Sequence, residues 1–387
     1  MPCLTSQIPM RVAIGIHRLR PRGGQEDHCI RIAEALVARG HEVTLISGDD
    51  AGDLPIPTTK LYRHGWQTNH TWANRFAAAF RARTRHGFDR TVAFQPTSGV
   101  DILFIGDDLR SRTNTGLLVR LTPRYRVFSR LESECFGSGS NVKVVGYSTR
   151  QMQAFAERYP ESRRRIAVLP PTLQFERYRP ELRARAARDA QRRMLGIPDT
   201  GNVWLWLGLH PKVKGLDRVL LALGESKSAH LLIGGLDADH PKARHIRRLI
   251  HDQGLVGRVT FLGYLTGERY SAALAAADVL AHPARKEAAG MTILEAVVNG
   301  LPVVATDICG FAEHIEKSGT GIVLPSPFNQ AAFEEALSSA YGRRREEFSR
   351  RGIEYGTDPR LFSGIDVACD LIEDTEWSTF SLNGLND

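Results

Sequence analysis

Short runs of apolar residues alternate along the chain with longer stretches in which apolar residues recur every three or four positions. The apolar run at 11–16 is followed by a glycine pair, a helical period over about 25–39 and a second strand-like run at 41–46. Apolar runs of this length are typical of buried strands, and the longer period is typical of amphipathic helices. A strand, a helix and a further strand in this order predict a βαβ unit and therefore a parallel sheet.

The same alternation extends through both halves of the chain. In the first half it predicts helices near 72–85 and 118–136 and strands at 91–94, 102–105, 142–147 and 166–169. In the second half it predicts strands at 203–207, 230–233, 259–262, 278–283, 303–306 and 322–324, with helices near 216–223, 243–253, 268–276 and 330–341. Two prolines, Pro170 and Pro171, follow a strand and mark the linker between the halves.

Length and composition favour two soluble domains. A chain of 387 residues with 42% apolar and 24% charged residues is long enough for two hydrophobic cores. We predict an α/β protein with a Rossmann-like domain at 1–170, a second at 171–357 and a closing helix and tail at 358–387. No stretch of 18 apolar residues occurs, so we expect no transmembrane helix, and residues 1–9 lack the features of a signal peptide.

The five cysteines and the strong positive charge narrow the function further. The cysteines are scattered without paired spacing, which is typical of reduced thiols in a cytoplasmic protein. A net charge of +8 indicates a polyanionic partner, either nucleic acid, an anionic membrane surface or a phosphorylated substrate. The basic residues form no helix-turn-helix, zinc or RNP pattern, so we expect no nucleic acid. Salt-sensitive DNA binding without affinity for a sugar nucleotide would instead favour a nucleic-acid-binding protein.

Residues 286–296 carry the most specific candidate chemistry. Two glutamates, Glu287 and Glu295, lie eight positions apart with Gly290 between them, after a strand and at the predicted start of a helix. The free amides and positive dipole of a helix start suit a phosphate, and a glycine there allows close approach. Glu295 could then accept hydrogen bonds from a ribose, and Glu287 could contact a sugar beyond the phosphate. Two solvated glutamates flanking an ordinary helix are the alternative interpretation.

The spacing Glu-x7-Glu between two strands resembles the donor-site signature of the retaining GT-B glycosyltransferases of family four. The run 275–315 is especially similar to the glucosyltransferases that place the first glucose on the heptose region of the lipopolysaccharide core. The resemblance covers about 11–372. It implies two Rossmann-like domains facing each other across a cleft, with a C-terminal helix that crosses back to the first domain. It also implies a nucleotide-sugar site on the second domain.

Several further residues match donor-binding positions of these enzymes. Lys214 precedes a glycine in a strand-to-helix turn, where a lysine suits a diphosphate leaving group, and Lys212 could assist it. Gly23 and Gly24 form the corresponding turn of the first half, and by resemblance they border the donor phosphates. The resemblance places the remaining donor-binding positions in the base pocket and around the phosphates, namely Gly235, Tyr264, Ala289, Gly290, Met291 and Thr292.

Three aspartates are candidates for catalysis or metal binding. Asp107 follows a predicted strand and matches an aspartate of the similar glucosyltransferases, where it could orient the acceptor hydroxyl. Asp237 and Asp239 resemble the Asp-x-Asp metal signature of the other glycosyltransferase fold, but we interpret them as a solvated loop. In the GT-B class a helix dipole and basic side chains neutralise the diphosphate. The resemblance therefore implies no metal and no other cofactor.

The segment 110–130 combines positive charge with apolar residues. It contains six arginines and no acidic residue, and five leucine or aromatic side chains lie among them. A basic amphipathic helix suits an anionic membrane surface, and its arginines also suit phosphates on the acceptor. A charged solvated face is the alternative. The acceptor- or membrane-binding candidates in and around the run 120–126, which resembles the matching run of the glucosyltransferases, are Arg112, Arg120, Arg124, Arg126 and Arg130.

The resemblance therefore implies a retaining transferase that moves glucose, or a close hexose, from a UDP-sugar to a heptose of the lipopolysaccharide inner core. We expect it on the cytoplasmic face of the inner membrane, attached peripherally. Catalysis would involve Glu287, Asp107 and Lys214. A mannosyl- or N-acetylhexosaminyltransferase of the same fold remains an alternative, because few cleft contacts select the hexose. A sugar-nucleotide epimerase is a further alternative, although it would not need the basic segment.

Overall fold

The structure is a computed structural model that describes residues 8–19, 23–48, 54–110, 116–197, 201–341 and 343–374. The chain divides into two compact units. The first comprises Met1–Pro170 together with Ser363–Asp387, and the second comprises Pro171–Phe362. Within the described residues, no helix has the length and apolar character needed to cross a membrane.

The first unit is built on a seven-stranded parallel sheet. Its strands are β1 (Arg11–Ile16), β2 (Glu42–Ser47), β3 (Thr58–Lys60), β4 (Arg90–Ala93), β5 (Ile102–Ile105), β6 (Lys143–Gly146) and β7 (Ile166–Val168), in the order β3-β2-β1-β4-β5-β6-β7. Its helices before the linker are α1 (Gly24–Ala38), α2 (Asn69–Thr84), α3 (Leu117–Arg120), α4 (Pro123–Phe136) and α5 (Thr149–Arg158). Apolar clusters cover both faces of the sheet, as expected for a parallel sheet.

The second unit repeats this plan with six parallel strands. They are β8 (Asn202–Leu207), β9 (Ala229–Gly234), β10 (Val259–Gly263), β11 (Val279–His282), β12 (Val303–Thr306) and β13 (Gly321–Leu324), in the order β10-β9-β8-β11-β12-β13. The helices are α6 (Arg185–Met194), α7 (Leu216–Glu225), α8 (Arg244–Asp252), α9 (Gly267–Ala276), α10 (Met291–Val298), α11 (Ala312–Ser318), α12 (Gln330–Ser339) and α13 (Arg343–Tyr355). Two apolar clusters again enclose the sheet.

The last described helix, α14 (Gly364–Glu373), belongs to the first unit and packs on α1. Its buried residues include Cys369 and Ile372, which join the apolar cluster of the first sheet. Arg39, directly after α1, donates hydrogen bonds of 2.6 Å to Asp370 and 3.0 Å to Glu373. The chain therefore returns to its first unit after completing the second, as the resemblance implied.

The strands other than β3 were predicted closely, whereas several helices were not. The prediction of one helix over 118–136 was wrong, because the structure has two helices, α3 and α4, with a break before Pro123. Proline has no backbone N–H to continue a helix, and Thr122 caps α4 by accepting a hydrogen bond from the Tyr125 N–H at 3.3 Å. The elements that the sequence patterns did not predict are β3, α5, α6, α11 and α13.

The order of strands reverses direction once in each sheet. In the first sheet the chain runs from β1 outward through β2 and β3, then resumes at β4 on the other side of β1. In the second sheet the same reversal falls between β8 and β11. Loops leave in opposite directions at such a point and open a crevice beyond the carboxyl ends of the strands, where α/β proteins bind ligands. Both reversals coincide with candidate residues.

Candidate functional site

The loops after β8 and β11 meet at the reversal point of the second sheet. Gly215 in the first loop has a φ of +72°, and a Cβ at this position would lie 2.0 Å from the carbonyl oxygen of Pro283. The backbone N–H of Arg285 donates to the carbonyl oxygen of Val213 at 2.7 Å. A residue larger than glycine at 215 would push the loops apart, so this close contact sets their spacing.

An arginine–carboxylate pair reinforces the contact between these loops. Arg285 donates to both carboxylate oxygens of Asp217, at 2.7 and 2.6 Å, and to the carbonyl oxygen of Lys212 at 2.8 Å. Burial alone would raise the pKa of Asp217, but the hydrogen bonds and positive charge of Arg285 lower it. This bidentate hydrogen bonding fixes one loop against the other more strongly than a single ion pair would.

Glu287 and Lys214 form an ion pair between the two loops. The Lys214 ammonium donates to Oε2 of Glu287, and Nε2 of His282 lies 3.2 Å from the same oxygen. Among the described residues, both contacts reach Oε2, so Oε1 retains its capacity to accept a hydrogen bond. Burial disfavours the charged carboxylate, but the His282 hydrogen bond and the Lys214 charge lower the pKa of Glu287 to about 2. Glu287 is therefore an anion at neutral pH and cannot act as a general acid.

Backbone contacts hold the Glu287 loop in place. The carbonyl oxygen of Glu287 accepts from the Gly310 N–H at 3.3 Å, and that of Ala289 accepts from the Phe311 N–H at 2.7 Å. Cys309 lies beside Glu287 and is buried. Its burial and the negative charge of Glu287 raise the pKa of the Cys309 thiol to about 12. The thiol is therefore neutral and contributes packing rather than charge.

The helix α10 begins where the Glu287 loop ends. Gly290 is its N-terminal cap with a φ of +106°, and a Cβ there would lie 3.3 Å from Cγ of Glu287. Met291 and Thr292 are the first helical residues and are partly exposed. Their N–H groups have no carbonyl partner within the helix, so they can donate to an anion. Lys214, Glu287 and this helix start were all predicted, and the structure brings them together.

Glu295, one turn into α10, is largely buried and already hydrogen-bonded. The Arg177 guanidinium donates to Oε1 at 3.0 Å, and the Tyr270 hydroxyl donates to Oε2. Burial and the adjacent carboxylate raise the pKa of Tyr270 well above its ordinary value, so its hydroxyl remains a donor. The Arg177 guanidinium lies 4.7 Å from the centre of the Tyr270 ring. These contacts fix the position of the carboxylate one turn into α10.

The remaining candidates of the second unit lie around the same crevice. Gly235 has a φ of +87°, and a Cβ there would lie 2.7 Å from the carbonyl oxygen of Gly208. Its N–H donates to the carbonyl oxygen of Gly263 at 2.7 Å, which places the partly buried Tyr264 next to this turn. The Lys212 side chain is exposed at the edge of the loop. Asp239, by contrast, is 99% exposed and 3.6 Å from Arg247.

Gly23, Gly24 and Asp107 lie on the first unit. Gly23 caps α1, and a Cβ there would lie 1.8 Å from a carboxylate oxygen of Glu26. Gly24 has open space around it. Asp107 follows β5, is about half exposed, and accepts a hydrogen bond of 2.9 Å from Arg110.

The described part of the basic segment is exposed around α3 and the start of α4. Four apolar residues with at least half of their surface exposed lie there, namely Leu117, Leu118, Val119 and Leu121. The predicted arginines 120, 124, 126 and 130 are exposed among and beyond them, whereas Arg112 lies outside the described residues. The structure thus has an exposed patch that combines apolar and basic side chains.

Sequence reasoning missed several residues that complete the site. His282 and Arg285 stand next to the recognised motif, so their proximity to it was a usable signal. Arg177 and Tyr270 are distant in sequence from Glu295 and gave no such signal. Lys242 adds a further ammonium group 3.2 Å from the carbonyl oxygen of Leu209, in the loop after β8.

Comparison with known proteins identifies a family for this arrangement. Residues 187–358 match the family model described as glycosyl transferases group 1. The lipopolysaccharide glucosyltransferase WaaG of Escherichia coli K12 is 30% identical over 385 residues, which cover 94% of this chain and 98% of the relative. The D-inositol 3-phosphate glycosyltransferase of Nocardia farcinica is 27% identical over 62% of this chain and 54% of its own length.

The solved structures agree with this result. A crystal structure of WaaG, described as a glycosyltransferase involved in lipopolysaccharide biosynthesis, superposes with a TM-score of 0.84 at 29% identity. The match covers 93% of this chain and 99% of that one. The two parallel-sheet units therefore have the GT-B fold, and the fold prediction is confirmed.

Proposed function

Since the chain belongs to the group 1 glycosyltransferases, we propose that it moves glucose from UDP-glucose to a heptose of the lipopolysaccharide inner core. The similarity to the Escherichia coli lipopolysaccharide glucosyltransferase extends over nearly the whole of both chains, which supports this donor and acceptor. The observation that carries the proposal is the ionised Glu287, held between Lys214 and His282 beside the start of α10.

The diphosphate of the donor would bind at the crevice of the second sheet. Lys214 supplies a positive charge there, and the Met291 and Thr292 amides supply hydrogen bonds at the positive end of α10. When the donor enters, the Lys214 ammonium turns from Glu287 towards the phosphates. The exposed Lys212 side chain lies on the same loop and assists. These groups stabilise the diphosphate as it departs, which is where negative charge grows in the transition state.

Glu287 would act on the sugar. Its free Oε1 accepts a hydrogen bond from a sugar hydroxyl, and its negative charge stabilises positive charge at the anomeric carbon. A carboxylate with a pKa of about 2 is suited to this role, because it stays charged throughout the reaction. We propose retention by front-face attack, in which the bond to the leaving diphosphate breaks as the acceptor oxygen approaches. The departing phosphate oxygen takes the proton of the acceptor hydroxyl.

The nucleoside would bind beyond the phosphates. Glu295, one turn into α10 and held in position by Arg177 and Tyr270, accepts hydrogen bonds from the ribose hydroxyls. The turn at Gly235 and the ring of Tyr264 border the base, and Ala289 precedes the phosphate-binding turn. Gly23 and Gly24, at the corresponding turn of the first sheet, are proposed as further donor-binding residues. Positive side chains and amides meet the diphosphate charge, so we propose that no metal is required.

The acceptor would be served by the first unit. Asp107 orients the acceptor hydroxyl, because it is a half-exposed carboxylate at the carboxyl end of β5. The exposed patch around α3, with Leu117, Leu118, Arg120 and Arg124, would attach the enzyme to an anionic membrane surface. Apolar burial and attraction to headgroups act together there, so we propose a peripheral enzyme on the cytoplasmic face of the inner membrane.

Release of UDP from UDP-glucose tests the proposal. The purified protein would be assayed with and without heptose-terminated core lipopolysaccharide, in EDTA, beside a Glu287→Ala variant. Glu316→Ala is the matched control, because Glu316 is an exposed glutamate on α11, away from the crevice. We expect acceptor-dependent release that survives EDTA, persists in the control and disappears in Glu287→Ala.

Other outcomes would change the proposal in defined ways. Loss of release in EDTA, restored by a divalent cation, would overturn metal independence alone. Release from GDP-mannose or UDP-N-acetylglucosamine, but not from UDP-glucose, would replace the donor. Acceptor-independent release that Glu287→Ala leaves unchanged would contradict the role of Glu287.

A further inference from the structure

A second pocket opens at the reversal point of the first sheet. It has a volume of about 240 Å³ and is bordered by residues directly after β1, β4 and β5 and by the facing sides of α2 and α4. His17 follows β1, Gln95 follows β4 and Asp107 follows β5. Typical pockets for drug-sized ligands measure about 300–1,000 Å³, so this one suits a single small ring with a substituent.

The walls of this pocket are strongly basic. Four arginines, Arg18, Arg63, Arg110 and Arg124, line it together with only two carboxylates, those of Glu26 and Asp107. Burial and the nearby arginines 18 and 63 lower the pKa of His17 to about 3, despite the opposing charge of Asp107, so His17 is neutral. The pocket therefore carries a positive excess that a neutral ligand would leave uncompensated.

Two buried polar atoms at this pocket lack a partner in the described part of the chain. They are Nε2 of His17 and Nε1 of Trp72, whose side chain is 2% exposed. A buried donor or acceptor without a hydrogen bond lowers the stability of the fold. In native proteins, a bound water or ion is one explanation for such a group. Trp72 can donate and neutral His17 can donate or accept, so both suit hydroxyl or phosphate oxygens.

Two of the four arginines, Arg63 and Arg110, are already held in position by other protein groups. Arg63 donates to the carbonyl oxygen of Gln67 at 3.0 Å and to Oδ1 of Asn69 at 2.9 Å. Arg110 pairs with Asp107 and lies 4.4 Å from the centre of the Phe128 ring. Fixing these side chains in advance reduces the entropy lost when they bind an anion.

We propose that this pocket binds a phosphate monoester carried by the acceptor sugar, with Arg63 and Arg18 receiving the phosphate while Asp107 receives the hydroxyl. Guanidinium groups bind phosphate with two parallel hydrogen bonds, which a neutral hydroxyl cannot match. The partly exposed Phe128 ring supplies apolar surface for the sugar ring. The inference rests on the proposed function and adds that the enzyme selects a phosphorylated acceptor.

The test compares two forms of one acceptor. Deacylated heptose-terminated core oligosaccharide would be used with its phosphates intact and after their removal with aqueous hydrogen fluoride. The ratio of kcat/KM for the two forms would be measured in the wild type, in Arg63→Gln and in the control Arg83→Gln. Arg83 is an exposed arginine on α2 outside the pocket. The KM for UDP-glucose in each variant reports whether the donor site is intact.

We expect the wild type to prefer the phosphorylated acceptor by on the order of tenfold or more, because a charge-assisted hydrogen bond contributes about that factor. Arg63→Gln should bring the ratio close to one with an unchanged KM for UDP-glucose, and Arg83→Gln should keep the wild-type ratio.

Each contrary outcome has a distinct meaning. Equal use of both acceptors by the wild type overturns the phosphate inference and leaves the proposed function standing. Use of neither acceptor, by a protein that binds UDP-glucose, overturns the proposed acceptor and the inference with it. A preference that Arg63→Gln retains, together with weaker binding of that variant to phosphatidylglycerol vesicles, would assign Arg63 to the membrane and overturn the pocket.

Discussion

Two carboxylates flank the strand β11 and have opposite environments. Asp278 precedes the strand at its amino end, and Glu287 follows it at the carboxyl end. Asp278 is 1% exposed and accepts hydrogen bonds from three arginines and one backbone N–H, which are Arg188, Arg192, Arg345 and the amide of Val203. Glu287 has a lysine and a histidine, and both reach the same oxygen.

The difference separates a structural carboxylate from one that can act on a ligand. The four donors to Asp278 are shared evenly between its two oxygens, so its acceptor capacity is filled. They come from α6, α13 and β8, and Asp278 therefore ties three elements together. Glu287 keeps one oxygen open beside a helix start. Charge and burial alone would not distinguish the two, but the number of filled acceptor positions does.

The largest effect is expected on stability when Asp278 is changed. Asp278→Asn leaves three arginines without their common anion, and breaking a buried ion pair in this way costs about 3–5 kcal/mol. Urea unfolding would measure this loss in the free energy of unfolding, while kcat of the folded protein should stay close to the wild-type value. The matched control is Asp239→Asn, an exposed aspartate that should change the unfolding free energy very little. Equal losses in both variants would contradict the distinction.

The complementary change, Glu287→Gln, should act mainly on catalysis. It keeps the shape of the side chain but removes the charge that stabilises the anomeric carbon, so kcat should fall by about 100- to 1,000-fold. The unfolding free energy should fall less than in Asp278→Asn, because fewer charged partners are stranded and Lys214 is partly exposed and can turn to water. Steady-state kinetics and urea unfolding of the same preparation would measure the loss of kcat and the loss of stability separately. A stability loss as large as that of Asp278→Asn would show that Glu287 is also structural.

A smaller effect should follow from loosening the two loops around Glu287. Arg285→Lys replaces the bidentate hydrogen bonds to Asp217 by the contact of a single ammonium group. We therefore expect kcat/KM for UDP-glucose to fall on the order of tenfold. Arg247→Lys is the matched control, because within the described residues Arg247 pairs with the exposed Asp239, at 3.6 Å. An Arg285→Lys enzyme with wild-type kcat/KM would mean that the loops hold their position without this pair.

The smallest effect concerns acid pH. The folded-state pKa of Glu287 is lowered from 4.5 to about 2, so its ionisation stabilises the protein fully above pH 4.5, and that contribution is lost as the pH falls towards 2. The difference in unfolding free energy between the wild type and Glu287→Gln should therefore shrink by about 1 kcal/mol between pH 5.5 and pH 3.5. Chemical unfolding across this range would measure it. A difference that grows on acidification would contradict a lowered pKa of Glu287 in the folded protein.

The sequence predicted the ligand-binding end of β11 better than the structural end. Lys214 and Glu287 each stand in a loop directly after a strand, so a parallel sheet with β8 beside β11 brings them together. The arginine partners of Asp278 lie on α6 and α13, where charged and polar residues together outnumber apolar ones, so the sequence predicts no amphipathic helix there. The same applies to Glu295, because Arg177 is 118 positions away and follows no motif.

Local chemistry explains the remaining differences. Pro123 after Thr122 is a recognisable helix start, but the continuous apolar and basic period across it concealed the break between α3 and α4. The pocket at the first sheet was not predicted as a unit. Its members follow three different strands and two helices, so only the strand order β1-β4-β5 reveals that His17, Gln95 and Asp107 adjoin.

The return of α14 to the first unit has a consequence for how the protein is made. A ribosome releases α1 early, but its partner helix, with Cys369 and Ile372, emerges only after the entire second unit. The apolar surface of the first unit that α14 covers therefore stays exposed to solvent while the second unit is being synthesised. The second unit, by contrast, is encoded by one continuous segment. Such exposed intermediates attract chaperones and aggregate when left alone. The half of the protein that is translated first is completed last, and a chain that stops before Gly364 should be degraded rather than accumulate.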